Sequence, residues 1–261
     1  MVDSIFYFII VGIASGTLGG LLGIGGGLLI VPLLTFIFFG YNFPQEEIPR
    51  LAVGTSQATI VFISLSAVYS QYKQNMFSLT HFWACVPAIL VGTCVGGLLI
   101  LFAPALMLTL IFCCALVISM FVLFFSLHGK HAHSIRTSVV FFPIAILSAI
   151  SSAAGIGGGG LFTAYFSYIH LPVKESIALS MSLVLPMSIA TTFYVISGHS
   201  DVDYTFGLIY YPAFLSIVIP AVICAQLGVR LRSYIPYKIL QKILACMLLA
   251  SGIYLVYKTV S

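Results

Sequence analysis

The sequence predicts an all-α polytopic membrane protein made of two inverted repeats, each with about five hydrophobic segments. Three observations predict it. Hydrophobic residues fill 61% of the 261 positions and charged residues only 6%, with a mean hydropathy of +1.18, so this chain cannot build a water-soluble surface. Its apolar residues fall in runs of about 20 separated by short polar breaks, the pattern of spanning helices; a barrel would alternate apolar and polar at period two. Finally, the motif Gly23-Ile24-Gly25-Gly26-Gly27 returns 132 residues later as Gly155-Ile156-Gly157-Gly158-Gly159.

Ten apolar segments occur in order: 4–22, 26–40, 50–71, 79–102, 105–127, 137–153, 160–171, 175–197, 205–228 and 236–257. In the first, Asp3 stands where a signal peptide would carry basic residues, so this run is expected to stay as a membrane helix. The second and seventh, about 15 and 12 residues long, cover only roughly 18 to 23 Å of a ~30 Å hydrocarbon core, so they read as half-spans or re-entrant helices. The neighbours of the glycine motif recur as well. Ala52-Val53-Gly54-Thr55-Ser56 falls opposite Ala178-Leu179-Ser180-Met181-Ser182, Val86-Pro87-Ala88 opposite Ile219-Pro220-Ala221, and Pro104 opposite Pro236. The expected division is therefore 1–128 as the first membrane repeat, 129–136 as a cytoplasmic linker and 137–261 as the second repeat.

Five segments per half is an odd number, so the second copy enters the membrane from the opposite side. Assigning loops alternately to two sides gives one side Lys73, Lys130, Arg136, Lys174, Arg230, Arg232 and Lys238, with Glu175 as its only acid. The other side receives Asp3, Glu46, Glu47, Asp201 and Asp203 with Arg50 and Lys258. The positive-inside rule makes the first side cytoplasmic and puts both termini outside, in a cell membrane. The parity is the same for ten segments and for eight full spans with two re-entrant hairpins. Gly12, Gly16 and Gly20, and likewise Gly92 and Gly96, repeat every four residues, as close helix crossings require. Tyr41, Trp83, Tyr168, Tyr204, Tyr210, Tyr234 and Tyr257 lie near segment ends, as interfacial anchors do.

The candidate site begins with the glycines. Four of the five positions from Gly23 to Gly27 oppose a continuous helix, since each glycine costs about 1 kcal/mol relative to alanine. A chain that unwinds and restarts there aims free N–H groups and a partial positive charge at the break, and such an end binds anions. The bland alternative is that the glycines only permit tight crossing. Gly23, Gly25, Gly26 and Gly27, with Gly155, Gly157, Gly158 and Gly159, are the candidate backbone ligands. Thr55, Ser56 and Gln57, with Ser180 and Ser182, form the matching neutral polar clusters, able to donate to sulfonate-like oxygens without burying a charge; the alternative for each hydroxyl is a bond to its own helix. Gln57 has Leu183 as its counterpart, so any site is asymmetric.

Other chemistries find little support. The six cysteines lie inside apolar runs without a Cys-x-x-Cys spacing and read as packing residues. His128, Lys130, His131 and His133 sit in the central loop and lack a fourth ligand, so a solvated loop is expected there. No catalytic triad, carboxylate pair or Cys/His pair falls within the membrane region, and a cation transporter would show intramembrane carboxylates or Met/His ligands. No enzyme activity, cofactor or metal is expected. The expected partners are a small anionic substrate and the lipid bilayer, with homo-oligomerisation left open; the net charge of +4 gives no reason to expect nucleic acid.

On the repeated Gly-x-Gly-Gly-Gly motif, with Pro32 after the first copy and the Ala-x-Gly-Thr-Ser stretch at Ala52 to Ser56, the chain resembles the sulfite exporter TauE/SafE family of membrane permeases over nearly its full length. The second copy departs from the pattern, with Ala164 at the place of Pro32 and Ser-Met-Ser in the second polar patch. The resemblance implies transport of sulfite, organosulfonates or related small sulfur-containing anions. An interior-negative potential drives an anion outward without further coupling, which makes export the easier direction; import would need coupling to an ion gradient.

Overall fold

The computed structural model describes residues 2–22, 25–73, 79–124, 137–169, 171 and 173–231. The expected linker at 129–136, its histidines, the tenth segment and Gly23 lie outside the described residues. The described residues form nine α-helices and one hairpin: α1 (Val2–Leu22), α2 (Gly27–Gly40), α3 (Ile48–Lys73), α4 (Leu79–Phe102), α5 (Ala105–Phe124), α6 (Thr137–Ala154), α7 (Gly159–Tyr168), α8 (Val173–Ser197), β1 (Thr205–Phe206), β2 (Ile209–Tyr210) and α9 (Tyr211–Leu231). Four of the helices are long and apolar enough to cross a membrane: Ile48–Tyr72, His81–Phe102, Glu175–Ser197 and Tyr211–Leu231. α7, with 10 residues, is about 15 Å long and cannot span.

The helices match the apolar runs closely, with one correction. The ninth run is expected to be helical from 205, but its first six residues form an antiparallel hairpin pairing Thr205 with Tyr210 and Phe206 with Ile209. Gly207 (φ 62°) makes the turn in a conformation that favours glycine. The helix begins only at Tyr211, where Pro212 suits the first turn. Hydropathy counts the hairpin with the helix because Phe206, Leu208 and Ile209 are as apolar as the residues of α9.

α3 and α8 form the middle of the bundle. α3 packs on α8 and α9 while α8 packs on α3 and α4; α1 lies along α9, and α4 along α6. Small residues permit the last two pairings. A Cβ on Gly16 would collide with the Ala221 backbone, and one on Gly96 with the Ser152 hydroxyl and the Ala149 carbonyl. Polarity is distributed as a lipid solvent requires. Phe6, Phe102, Phe142, Phe193 and Ile219 are exposed, whereas Thr55, Ser56, Gln57, Ser152 and Ser180 are fully buried. In a bilayer the exposed apolar surface meets acyl chains without penalty, while the polar groups need internal partners.

Several loops meet at one end of this bundle. The Arg50 guanidinium donates from the start of α3 to the Ala103 carbonyl beyond α4 (2.9 Å). Glu47 accepts from the Ser200 hydroxyl and from the Asp201 N–H (3.4 Å). At the same end, Phe8, Phe38 and Phe43 surround the Tyr210 ring, with centroids 6.3, 5.5 and 5.3 Å away. Tyr210, expected as an interfacial anchor, is therefore half-buried in an aromatic cluster. Burial first, and then the neighbouring Tyr204, Tyr211 and Tyr41, hold its phenol above its ordinary pKa.

Candidate functional site

Both glycine motifs break the chain in the same way. α1 ends at Leu22 and α6 at Ala154, and each following helix restarts after a glycine in the left-handed region, Gly26 (φ 77°) before α2 and Gly158 (φ 70°) before α7. Gly25 (φ 79°), Gly155 (φ 71°) and Gly157 (φ 74°) share that conformation, which an L side chain enters only with strain. The chain therefore leaves helical geometry at both motifs, and glycine is needed to do so. Tight crossing is not their sole use.

The two breaks touch. A Cβ on Gly27 would lie 2.6 Å from the Gly155 carbonyl oxygen and 2.9 Å from the Ile156 carbonyl carbon, so the start of α2 rests on the second break. Ile60 of α3 and Val184 of α8 flank Gly25, and Val53 and Val31 crowd Gly155. Ser56 lies about 12 Å along α3 from Ile48, and Val184 about 16 Å along α8 from Val173, so the breaks meet well inside both central helices.

Donors and acceptors at the junction are unequal. At the end of α6 the carbonyls are satisfied: Ser151 accepts from the Ile156 N–H (3.2 Å), Ser152 from the Gly155 N–H (3.1 Å) and the Gln57 amide (3.1 Å), and Gly155 from the Ser56 hydroxyl (2.8 Å). At the helix starts the first intrahelical bonds run from Leu29 and Ile30 to the Gly26 carbonyl (3.0 and 3.3 Å) and from Phe162 to the Gly158 carbonyl (2.9 Å). No side chain caps Gly26 or Gly158. The negative helix end is thus neutralised by side chains, whereas the positive ends of α2 and α7 have no side-chain cap.

The polar residues singled out in the sequence divide into three groups. Ser56 and Gln57 belong to the junction, but there they donate to backbone carbonyls. Thr55 turns away from it and accepts the Tyr210 N–H (3.0 Å), which holds the hairpin against α3. Ser180 and Ser182 bond within their own helix, to Ser176 (2.6 Å) and Ala178 (2.8 Å), and Ser182 also reaches the Gln71 side-chain oxygen (3.4 Å). The back-bonding alternative thus describes the α8 serines. Two further residues, Ser151 and Gln71, and the unpaired state of the Gln57 oxygen escape sequence reasoning. Among the described residues the fully buried Ser151 hydroxyl has no hydrogen-bond partner, and a Cβ on Gly158 would stand 3.0 Å from it. The buried Gln71 amide donates to the Met181 sulfur (2.9 Å). Among the described residues the Gln57 side-chain oxygen has no hydrogen-bond partner. A serine just before the second motif, 132 positions after Gly19, is the available signal for Ser151.

Known proteins share this organisation of sequence. The profile of the family described as Sulfite exporter TauE/SafE matches residues 8–255. A probable membrane transporter protein of Haemophilus influenzae is 28% identical over 259 residues, covering 97% of this chain and 98% of that protein. One from Methanocaldococcus jannaschii is 27% identical, covering 95% and 93%. The probable membrane transporter protein YunE of Bacillus subtilis is 27% identical, covering 98% of each chain. No solved structure matches. With its apolar helices, buried polar junction and this match over nearly the whole length, the chain is a multi-pass membrane protein that belongs to the TauE/SafE sulfite exporter family of membrane transporters.

Proposed function

We propose that this protein is a permease for small sulfur-containing anions, sulfite, organosulfonate or a related oxyanion, and that it exports them. The observation that carries the reading is the electrostatic inequality at the junction: the uncapped start of α2 at Gly26–Gly27 packs on the second break at Gly155–Ile156, which the uncapped start of α7 at Gly158–Gly159 follows, and the carbonyls there are already paired with Ser56 and Gln57. Such a place favours negative charge. The described acids support an anion over a cation, since Glu46, Glu47, Asp201 and Asp203 lie in loops, Asp3 in the first turn of α1 and Glu175 in the first turn of α8.

The inverted repeat belongs to the same reading. Exchanging the halves turns the α1–α9 pairing into α6–α4, leaves α3–α8 unchanged and exchanges α2–α3 with α7–α8, and all these pairings occur. The clustering of the 44–50, 103–104 and 198–210 segments at one end supports the alternating loop assignment, with that end outside the cell membrane and the site near the bilayer midplane. The test is flux of radiolabelled sulfite, sulfoacetate, taurine and sulfate in proteoliposomes. Protein-dependent flux of one or more of the sulfur oxyanions is expected; flux of none would sink the reading.

A further inference from the structure

The two breaks share a backbone but differ in chemistry. At the second, the Ser151 hydroxyl faces Gly158 and the Gln57 amide is held at the end of α6, and both side chains are fully buried. The residue 132 positions before Ser151 is Gly19, which packs against Gly26 as Ser151 packs against Gly158: a Cβ there would lie 2.8 Å from the Gly26 nitrogen. The counterpart of Gln57 is Leu183, also fully buried. Ser15 packs on Gly26 at the first break, but its hydroxyl donates to the Gly12 carbonyl (3.3 Å), so among the described residues the unpartnered hydroxyl and amide oxygen lie at the second break.

The orientation of Gln57 is set by its partner. Its nitrogen donates to the Ser152 carbonyl, a pure acceptor, so its oxygen must point elsewhere, and among the described residues that oxygen has no hydrogen-bond partner. Ser151 is likewise unpartnered and can both donate and accept. Beside two uncapped helix starts that attract negative charge, the protein thus keeps a buried acceptor that repels a bare oxyanion. A ligand satisfies both demands only if it is an anion that also carries a proton to donate.

Resting on the permease reading above, we infer that the transported species is a singly protonated oxyanion, hydrogensulfite rather than sulfite dianion or a sulfonate, and that Gln57 and Ser151 select it at the second break. The helix starts and the Ser151 hydroxyl meet its charged oxygens, and the Gln57 oxygen accepts its O–H. A sulfonate has the same charge but no proton, so it leaves the Gln57 oxygen facing an oxygen. An unmade buried bond of this kind is worth about tenfold or more in discrimination.

The test is initial flux in proteoliposomes with equal pH on both sides and the potential clamped at zero. Its probes are sodium sulfite titrated through its second ionisation, methanesulfonate and sulfate, each corrected for protein-free vesicles. The expected result is flux proportional to the hydrogensulfite fraction, with methanesulfonate and sulfate at least about tenfold slower. Gln57→Leu, which removes the acceptor for the O–H, should shrink the hydrogensulfite-to-methanesulfonate ratio about tenfold, whereas Ser151→Ala, which removes a donor to oxygens both anions carry, should slow both about tenfold and keep the ratio. If Gln57→Leu fails to fold, the wild-type dependence on the hydrogensulfite fraction and the wild-type ratio still decide, and Ser151→Ala, which removes only an unpartnered hydroxyl, reports the donor. Flux that follows the dianion, methanesulfonate carried as fast as hydrogensulfite, a ratio that survives Gln57→Leu, or flux of both anions unchanged in Ser151→Ala would each overturn the inference. A resident water filling the two atoms would produce that last outcome. Absence of flux for all three probes would instead remove the permease reading, and this one with it.

Discussion

The Ser56 hydroxyl donates to the Gly155 carbonyl at 2.8 Å, which ties the first half's buried polar helix to the glycine break of the second. Ser56→Ala should lower stability by roughly 1 to 3 kcal/mol, because the Gly155 carbonyl loses a side-chain donor in a site without ready access to water. Thermal unfolding in detergent measures it. Ser56→Thr keeps the hydroxyl and should recover part of the loss; equal melting temperatures for wild type and Ser56→Ala would show that the bond contributes nothing.

The glycines of the breaks should differ in their tolerance of alanine. At Gly25 a Cβ meets only Val184 at 3.4 Å and the more distant Ile60, so Gly25→Ala carries the left-handed backbone penalty alone, about 1–2 kcal/mol. At Gly158 the added methyl also stands 2.8 Å from the Phe162 ring and 3.0 Å from the Ser151 hydroxyl, so Gly158→Ala should cost more in both stability and flux. Gly26→Ala and Gly157→Ala carry the same backbone penalty. Alanine at all four positions with flux and expression near wild type would refute a backbone anion cradle.

The Thr55 oxygen accepts the Tyr210 N–H, so Thr55→Val, which keeps the shape, should loosen the hairpin rather than the bundle. Hydrogen exchange resolves the two. Amides of 205–210 should exchange severalfold faster in the variant while those of α3 and α8 stay protected; unchanged exchange at Tyr210 would count against the tether.

Transport should be electrogenic and need no proton beyond the one hydrogensulfite carries, since no described acid lies deep in a helix to carry another. Under a valinomycin clamp at equal pH, the equilibrium anion ratio should change roughly tenfold per 60 mV for each charge moved. A slope of one charge agrees with a protonated monoanion and a slope of two with a dianion. Efflux that ignores the clamp and collapses with a protonophore would show that a further proton, beyond the one hydrogensulfite carries, travels with the substrate.

A cysteine at position 201 should react with an impermeant reagent from outside intact cells, and one at position 130 should not. Asp201 lies in an exposed loop with Glu47 and His199, at the end assigned to the outside. Labelling at 130 but not at 201 would invert the topology.

Membrane residence, the helix positions and the two breaks are legible in the sequence because each is a local property. Apolar runs must satisfy their own backbone in lipid, and four glycines within the five positions 23–27 oppose helix continuation wherever such a cluster occurs. The hairpin at 205–210 is not legible, because its apolar residues differ from a helix start only in the turn at Gly207 and in the α3 surface that holds them.

What the tertiary structure alone decided is the partner of each polar side chain. In sequence Ser56, Gln57, Ser180 and Ser182 look equivalent, four small polar groups on long apolar helices. Packing sends the first two to carbonyls of the other half and leaves the α8 serines bonded to their own helix. It also leaves the Gln57 oxygen and the Ser151 hydroxyl unpaired, a product of long-range geometry that no local pattern encodes. A hydrogen bond depends on which atoms come within about 3 Å. For groups 95 and 99 positions apart, only the packed bundle sets that distance.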